Sequence, residues 1–302
     1  MNDFLEQLNG LIRQGRVLTG EAMSSHTTFR VGGPADYYAE PETEEELAGV
    51  LELCRTKQVP YMILGNGSNL LVGDRGYRGV MIALGKHWSK VVVEGSVIRA
   101  GAAAMLSAAA RQALKQELTG LEFASGIPGT VGGAVFMNAG AYGSEMVQVL
   151  RTVTVMTADG SIRTLPAGEL ELGYRTSCIG RKGYIVLEAE LELKKGEAEA
   201  IRSRMEELAV QRRTKQPLEF PSAGSTFKRP EGYFAGKLIQ DAGLRGFSVG
   251  GAQVSEKHCG FVINRGDATA ADILELCRQV QHMVKEQSGV DLELEVRTVG
   301  DF

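Results

Sequence analysis

The chain has 302 residues, 43% of them apolar, and carries a net charge of -4 from 33 basic and 37 acidic side chains. That length supports two or three domains with substantial cores, and the mild acidity excludes a general field for nucleic acid or anionic lipid, so an anionic substrate needs a local basic cluster. Cys54, Cys178, Cys259 and Cys277 stand singly with no CxxC pair, which argues against zinc or a disulfide framework. No metal is expected. The opening residues lack a basic-then-apolar leader, and no apolar run approaches the roughly 18 residues of a membrane span. The expected location is the cytoplasm.

Phe4, Leu5, Leu8, Leu11 and Ile12 fall at helical spacing and predict a helix over 2–14, stopped by Gly15. HTTFRVGGPADYYAEP, residues 26–41, predicts an extended entry, a turn at Gly32-Gly33-Pro34 and a short strand closed by the second proline. Thr43 and Glu46 make a capping box ahead of Leu47, Val50, Leu51 and Cys54, predicting a helix over 44–57. Tyr61 to Leu64 is a short apolar strand that runs into GNGSNLLV, residues 65–72. Several free amides and two short polar side chains at a strand end suit a diphosphate. The loop is not the Rossmann fingerprint, because Asn69 and Leu70 stand where a third glycine and a helix are needed. Nor is 79–86 a P-loop: five residues separate Gly79 from Gly85, and His87 follows Lys86.

Strands are expected at 79–84, 90–94 and 97–100, then an alanine-rich helix over 105–116. The segment 121–143, LEFASGIPGTVGGAVFMNAGAYG, holds six glycines and reads either as tight turns or as a second phosphate cradle. Residues 148–157 and 184–193 alternate as strands, with the loop LELGYRTSCIG between them. A charged helix over 197–213 is closed by Pro217 and Pro221, and a domain boundary is placed near 206. Beyond it lie PSAGSTFKRP, a helix over 234–241, an apolar run from Gly260 to Asn264, a helix over 269–287 and an alternating strand over 291–299.

HTTFRVGGPAD, LGNGSNLLV, SGIPGTVGGAVFMNAGAYG, GYRTS, SAGSTFKRP, AGKLIQDAGLRG and LELEVRTVG occur in the order found in the bacterial UDP-N-acetylenolpyruvoylglucosamine reductases, and over nearly the whole chain the sequence resembles that family. The resemblance implies an α+β architecture: a two-subdomain FAD-binding region of the vanillyl-alcohol-oxidase type, 1–86 and 87–205, and a C-terminal α+β substrate-binding domain, 206–302. The span from Gly243 to Asn264 has no room for the extra loop of one family type, so the chain resembles the shorter type. Leu294 stands where the family pattern leads us to expect proline.

What the resemblance implies chemically is reduction of UDP-N-acetylglucosamine enolpyruvate to UDP-N-acetylmuramate for peptidoglycan, with non-covalent FAD and with NADPH as co-substrate. The histidines, His26, His87, His258 and His282, all lie outside the glycine loops, which argues against a covalent flavin link. Arg175 matches the family's catalytic arginine, Ser225 its proton donor to C2, and Glu295, rather than Glu293, its glutamate near C2. The expected strand places Glu295 alongside Glu293 and Arg297. FAD would be held by Gly65, Asn66, Gly67, Ser68, Asn69 and Leu70 on one side, and by Ser125, Gly126, Gly129, Thr130, Gly132, Gly133, Asn138, Gly140 and Ala141 on the other. Tyr174, Lys228, Arg229, Lys237 and Arg297 are expected at the substrate. A monomer without nucleic-acid or membrane partners is expected. The alternatives are another FAD-dependent oxidase of the same fold, acting on an alcohol or hydroxy acid, and a non-catalytic flavin-binding sensor.

Overall fold

A computed structural model describes residues 2–302. The chain divides into two compact units, each discontinuous in sequence: residues 1–18, 37–66 and 79–211 form the first, and 19–36, 67–78 and 212–302 the second. Helices and strands are mixed throughout, which is the expected α+β class. Among the described residues no helix is long and apolar enough to cross a membrane.

The first unit has two cores. In one, the helices Asn2–Leu11 and Glu44–Thr56 bury Phe4, Leu8, Leu47, Val50 and Leu51 with Val80 and Ile82. The latter two belong to a strand, Tyr77–Ala83, that pairs in parallel with Tyr61–Leu64, Tyr61 opposite Val80. Thr43 caps the second helix as expected, its Oγ1 accepting from Glu46 N at 3.2 Å. The first helix stops at Leu11, short of residue 14, because Glu46 draws the next amides away. Its carboxylate, on a residue only 7% exposed, accepts from Arg13 N, Gln14 N and Glu42 N, each at 2.8 Å.

Burial works to raise the Glu46 pKa, but the amides of Glu42, Gln14 and Arg13 outweigh it and hold it below the ordinary carboxylate value. A carboxylate depressed on folding stabilises the protein above its unfolded pKa, and that contribution is lost as pH falls through the folded value. Glu46→Gln is therefore expected to lower stability at pH 7 by about 2 kcal/mol, the scale of hydrogen bonds to a charged group. Urea midpoints of the two proteins should converge as pH falls below about 4.3.

The other core lies on a five-stranded antiparallel sheet in the spatial order Ile162–Pro166, Leu150–Met156, Ile185–Glu192, Val97–Gly101, Val91–Glu94. The pairing slips between Thr154 and Val155, which explains why Ile185, Val186 and Leu187 are all buried in a row. Ile185 and Leu187 join the first core, whereas Val186, Ala189 and Leu191 pack with Ile98, Leu106, Val131 and Val135. The helices Leu106–Lys115 and Val131–Phe136 cover that face. The charged helix Ala198–Lys215 buries Ile201 and Leu208 and ends just before Pro217.

The second unit is built around the helix Ala270–Ser288, capped by Thr269 and ended by Gly289 at φ +71°. It packs Ile273, Leu276, Val280 and Val284 with Phe227, Ile239, Val254 and Val262. Ser248–Val249, Ala252–Val254 and Val262–Asn264 form a small antiparallel sheet, and Leu70–Val72 pairs in parallel with Arg297–Val299. The expected strand over 291–299 is thus confined to its last three residues. Before it, Phe227 bridges Leu294, and two successive amides, Glu295 N at 2.9 Å and Val296 N at 3.4 Å, donate to Thr226 O. This is a β-bulge, which re-aims side chains and interrupts period-2 alternation. The regular face expected to align Glu295 with Glu293 and Arg297 does not run through the segment.

Candidate active site

The first unit brings the two glycine-rich loops together. Asn66 Nδ2 donates to Pro128 O at 2.7 Å, and a Cβ added to Gly65 would lie 2.8 Å from Thr130 Oγ1. Thr130 is buried and its Oγ1 also accepts from Gly133 N, at 3.3 Å. Around this junction Gly65, Asn66, Gly126, Pro128 and Gly133 are exposed, while Ser125, Gly129, Gly132, Gly140 and Ala141 are half-buried. A rim with so few long side chains suits a ligand gripped through main-chain groups, and it fits FAD in that respect.

Next to this rim stands the turn that carries Arg175. Gly173 and Thr176 exchange both backbone hydrogen bonds, at 3.1 and 3.3 Å, leaving Tyr174 and Arg175 as a two-residue turn. Arg175 sits at φ +53°, a region that costs a non-glycine residue about 1–3 kcal/mol and clusters at functional sites. Its guanidinium lies 5.3 Å from the Tyr174 ring centroid, and Nη2 donates to Gly140 O at 3.2 Å. Tyr174 itself is 52% exposed. Asn138, expected at the cofactor, is fully buried. Its amide donates to Gly173 O at 3.1 Å and accepts from Val147 N at 2.9 Å.

The second unit holds Ser225 and Glu295 on one anchor. Ser225 is exposed, between Gly224 at φ +76° and the buried Thr226. Thr226 N donates to Gly260 O, its Oγ1 accepts from Val262 N, and its carbonyl takes the amides of Glu295 and Val296. Glu295 is half-buried. Its carbonyl accepts from Asn69 Nδ2 at 3.0 Å, and Arg297 N donates to Asn69 O at 3.1 Å. Asn69 therefore brackets the segment that carries Glu295. Gly67 and Leu70 are buried in this unit, with Ser68 half-buried between them and Asn69.

The basic residues are partly engaged already. Lys228 pairs with Glu293 at 2.9 Å, and Lys237 pairs with Asp241 one helical turn away. Exposed pairs of this kind are worth about 0–1 kcal/mol, so an incoming phosphate can displace the carboxylates. Arg229 donates to Tyr233 O at 3.3 Å and stacks 4.0 Å from the ring centroid of Phe234, which is 61% exposed. Arg297 is exposed by area, yet desolvation pulls its pKa below the usual arginine value. Sequence patterns do not single out Thr226, which anchors both segments, or Tyr233 and Phe234, which engage Arg229. Only the adjacent aromatic pair left a local signal.

Two curated relatives span essentially the full chain. The UDP-N-acetylenolpyruvoylglucosamine reductase of Agathobacter rectalis is 54% identical over 99% of this chain and 99% of its own length, and that of Clostridium perfringens is 52% identical over 99% and 98%. The chain belongs to the UDP-N-acetylenolpyruvoylglucosamine reductase family. The model of that reductase's C-terminal domain matches residues 216–299, and an FAD binding domain model matches 35–166. The crystal structure of the reductase from Thermus caldophilus superposes with a TM-score of 0.83 at 39% identity, covering 94% of this chain and 99% of that one.

Proposed function

We propose that this chain catalyses the NADPH-dependent, FAD-mediated reduction of UDP-N-acetylglucosamine enolpyruvate to UDP-N-acetylmuramate, a step of peptidoglycan synthesis. The observation that carries the proposal is full-length relatedness to reductases of that name, together with the Asn66–Pro128 junction that joins the two expected cofactor loops. When bound, FAD supplies the hydride relay from NADPH to C3 of the enolpyruvyl group. Main-chain groups of 65–70 and 125–141 hold it without a covalent bond.

The side chains divide the remaining work. The Arg175 fork holds the substrate carboxylate, on which enolate charge accumulates as C3 is reduced. The Ser225 hydroxyl delivers a proton to C2; an alcohol is a very weak acid, but an enolate is a strong enough base to accept from it when aligned. Glu295 supports the protonation at C2; its amide donates to Thr226 O and its carbonyl accepts from Asn69 Nδ2, whereas the Glu293 carboxylate is taken up by Lys228. Tyr174, Lys228, Arg229, Lys237 and Arg297 bind the substrate and its diphosphate. In this reading 1–86 and 87–205 serve the cofactor and 206–302 the substrate, although the core of the second unit also takes in Phe29, Val31 and Leu71. The reading includes a cytoplasmic monomer.

The test is optical. Protein loaded with FAD should be yellow, be bleached by NADPH under anaerobic conditions, and regain its colour when the enolpyruvyl nucleotide is added. A protein that takes up no FAD, or that stays bleached in the presence of that substrate, would sink the proposal.

A further inference from the structure

Three side-chain to main-chain hydrogen bonds clasp residues 136–140 of the glycine-rich segment to the turn 173–177. Ser177 Oγ donates to Phe136 O at 2.7 Å, Asn138 Nδ2 to Gly173 O at 3.1 Å, and Arg175 Nη2 to Gly140 O at 3.2 Å. The middle one differs in kind. Asn138 has no exposed surface, sits at φ +42°, and uses both ends of its amide, with Val147 N donating to Oδ1. Asparagine is one of the few residues that tolerates this backbone and also offers a donor and an acceptor.

The turn it grips needs help. Arg175 lies in the left-handed region, and strain of that kind persists only where the surroundings over-determine it. The Gly173 carbonyl is the turn's fixed point. It receives Thr176 N, at 3.3 Å, from within the turn and the shorter Asn138 bond from outside. A buried amide holding that carbonyl fixes the direction in which the two-residue turn leaves the loop, and hence where the guanidinium stands.

We propose that Asn138 is a positioning residue for Arg175, acting through Gly173 O, and not a cofactor contact. The assignment rests on the function proposed above. It predicts that the clasp matters to catalysis only through the arginine. Displacement of a positioned catalytic group by about 1 Å lowers rate on the order of 100-fold.

Two variants isolate the bond. Asn138→Gly keeps the positive φ and removes the side chain, whereas Asn138→Asp keeps the acceptor for Val147 N and sets a carboxyl oxygen against Gly173 O in place of the amide donor. Both should retain FAD with a wild-type visible spectrum. Each should lose about 30- to 100-fold in kcat. Hydrogen exchange of the apoprotein should quicken at 173–177 and stay unchanged in the strand Val97–Gly101. In an Arg175→Ala background the same changes should cost less than about threefold, because groups that act as a unit are not additive. A kcat within threefold of wild type, or an equal loss in both backgrounds, would overturn the proposal. So would loss of folding or of FAD in both variants, which makes Asn138 purely structural. If wild-type protein does not reduce the enolpyruvyl substrate at all, the proposed function fails instead, and the exchange result still reports on the clasp.

Discussion

With Ser225 replaced by alanine, bleaching of the bound flavin by NADPH should proceed at close to the wild-type rate while steady-state turnover falls by about 10²- to 10⁴-fold, the range one positioned proton donor supplies. The surroundings make the substitution clean. Ser225 is exposed, and the conformation of its segment is set by Gly224 and by the main chain and hydroxyl of Thr226, none of which the change touches. Stability should therefore stay within about 0.5 kcal/mol. Stopped-flow absorbance separates the two steps. Equal slowing of both would remove Ser225 from protonation and place it in binding.

Gly67→Ala should be the most destabilising single-methyl change in the expected cofactor loops. Gly67 has φ +59°, and a Cβ there would lie 2.0 Å from His26 O and 2.8 Å from Thr27 Cα. The left-handed backbone costs an L-residue about 1–2 kcal/mol, and forcing a methyl against a packed main chain adds about 1–3 kcal/mol. A loss of roughly 2–5 kcal/mol is a large part of the 5–15 kcal/mol that holds an ordinary domain together. It should appear as a lowered urea midpoint in the apoprotein, before any cofactor is added. An alanine variant whose apoprotein matched wild type but bound FAD poorly would mean that the glycine serves the ligand instead.

That glycine illustrates what the sequence could and could not convey. Local signals were sound: Thr43 and Thr269 start their helices, Tyr61–Leu64 is a strand to the residue, and Pro217 follows the end of a helix. The reason for a glycine was less legible, because Gly67 makes room for the carbonyl of His26, about forty residues earlier, and Gly132 for Ala102. The segment 291–299 alternates like a strand, yet the carbonyl that captures two of its amides belongs to Thr226, and nothing near Glu295 in sequence announces it. Likewise, counting cations located Lys228 and Lys237 but not the carboxylates of Glu293 and Asp241 that sit on them. Side chains that hold site residues in place, such as Asn69 and Ser177, act across 226 and 41 positions of chain, beyond the reach of any periodicity.

Ser225 and Glu295 hang from the same residue: one precedes Thr226, and the other donates its amide to the Thr226 carbonyl. Thermal displacement of that mount is common to both, so the spacing between hydroxyl and carboxyl segments fluctuates less than the position of either. An insertion before residue 224 should then be far better tolerated than one between 225 and 226, where the two positions would lose their shared reference.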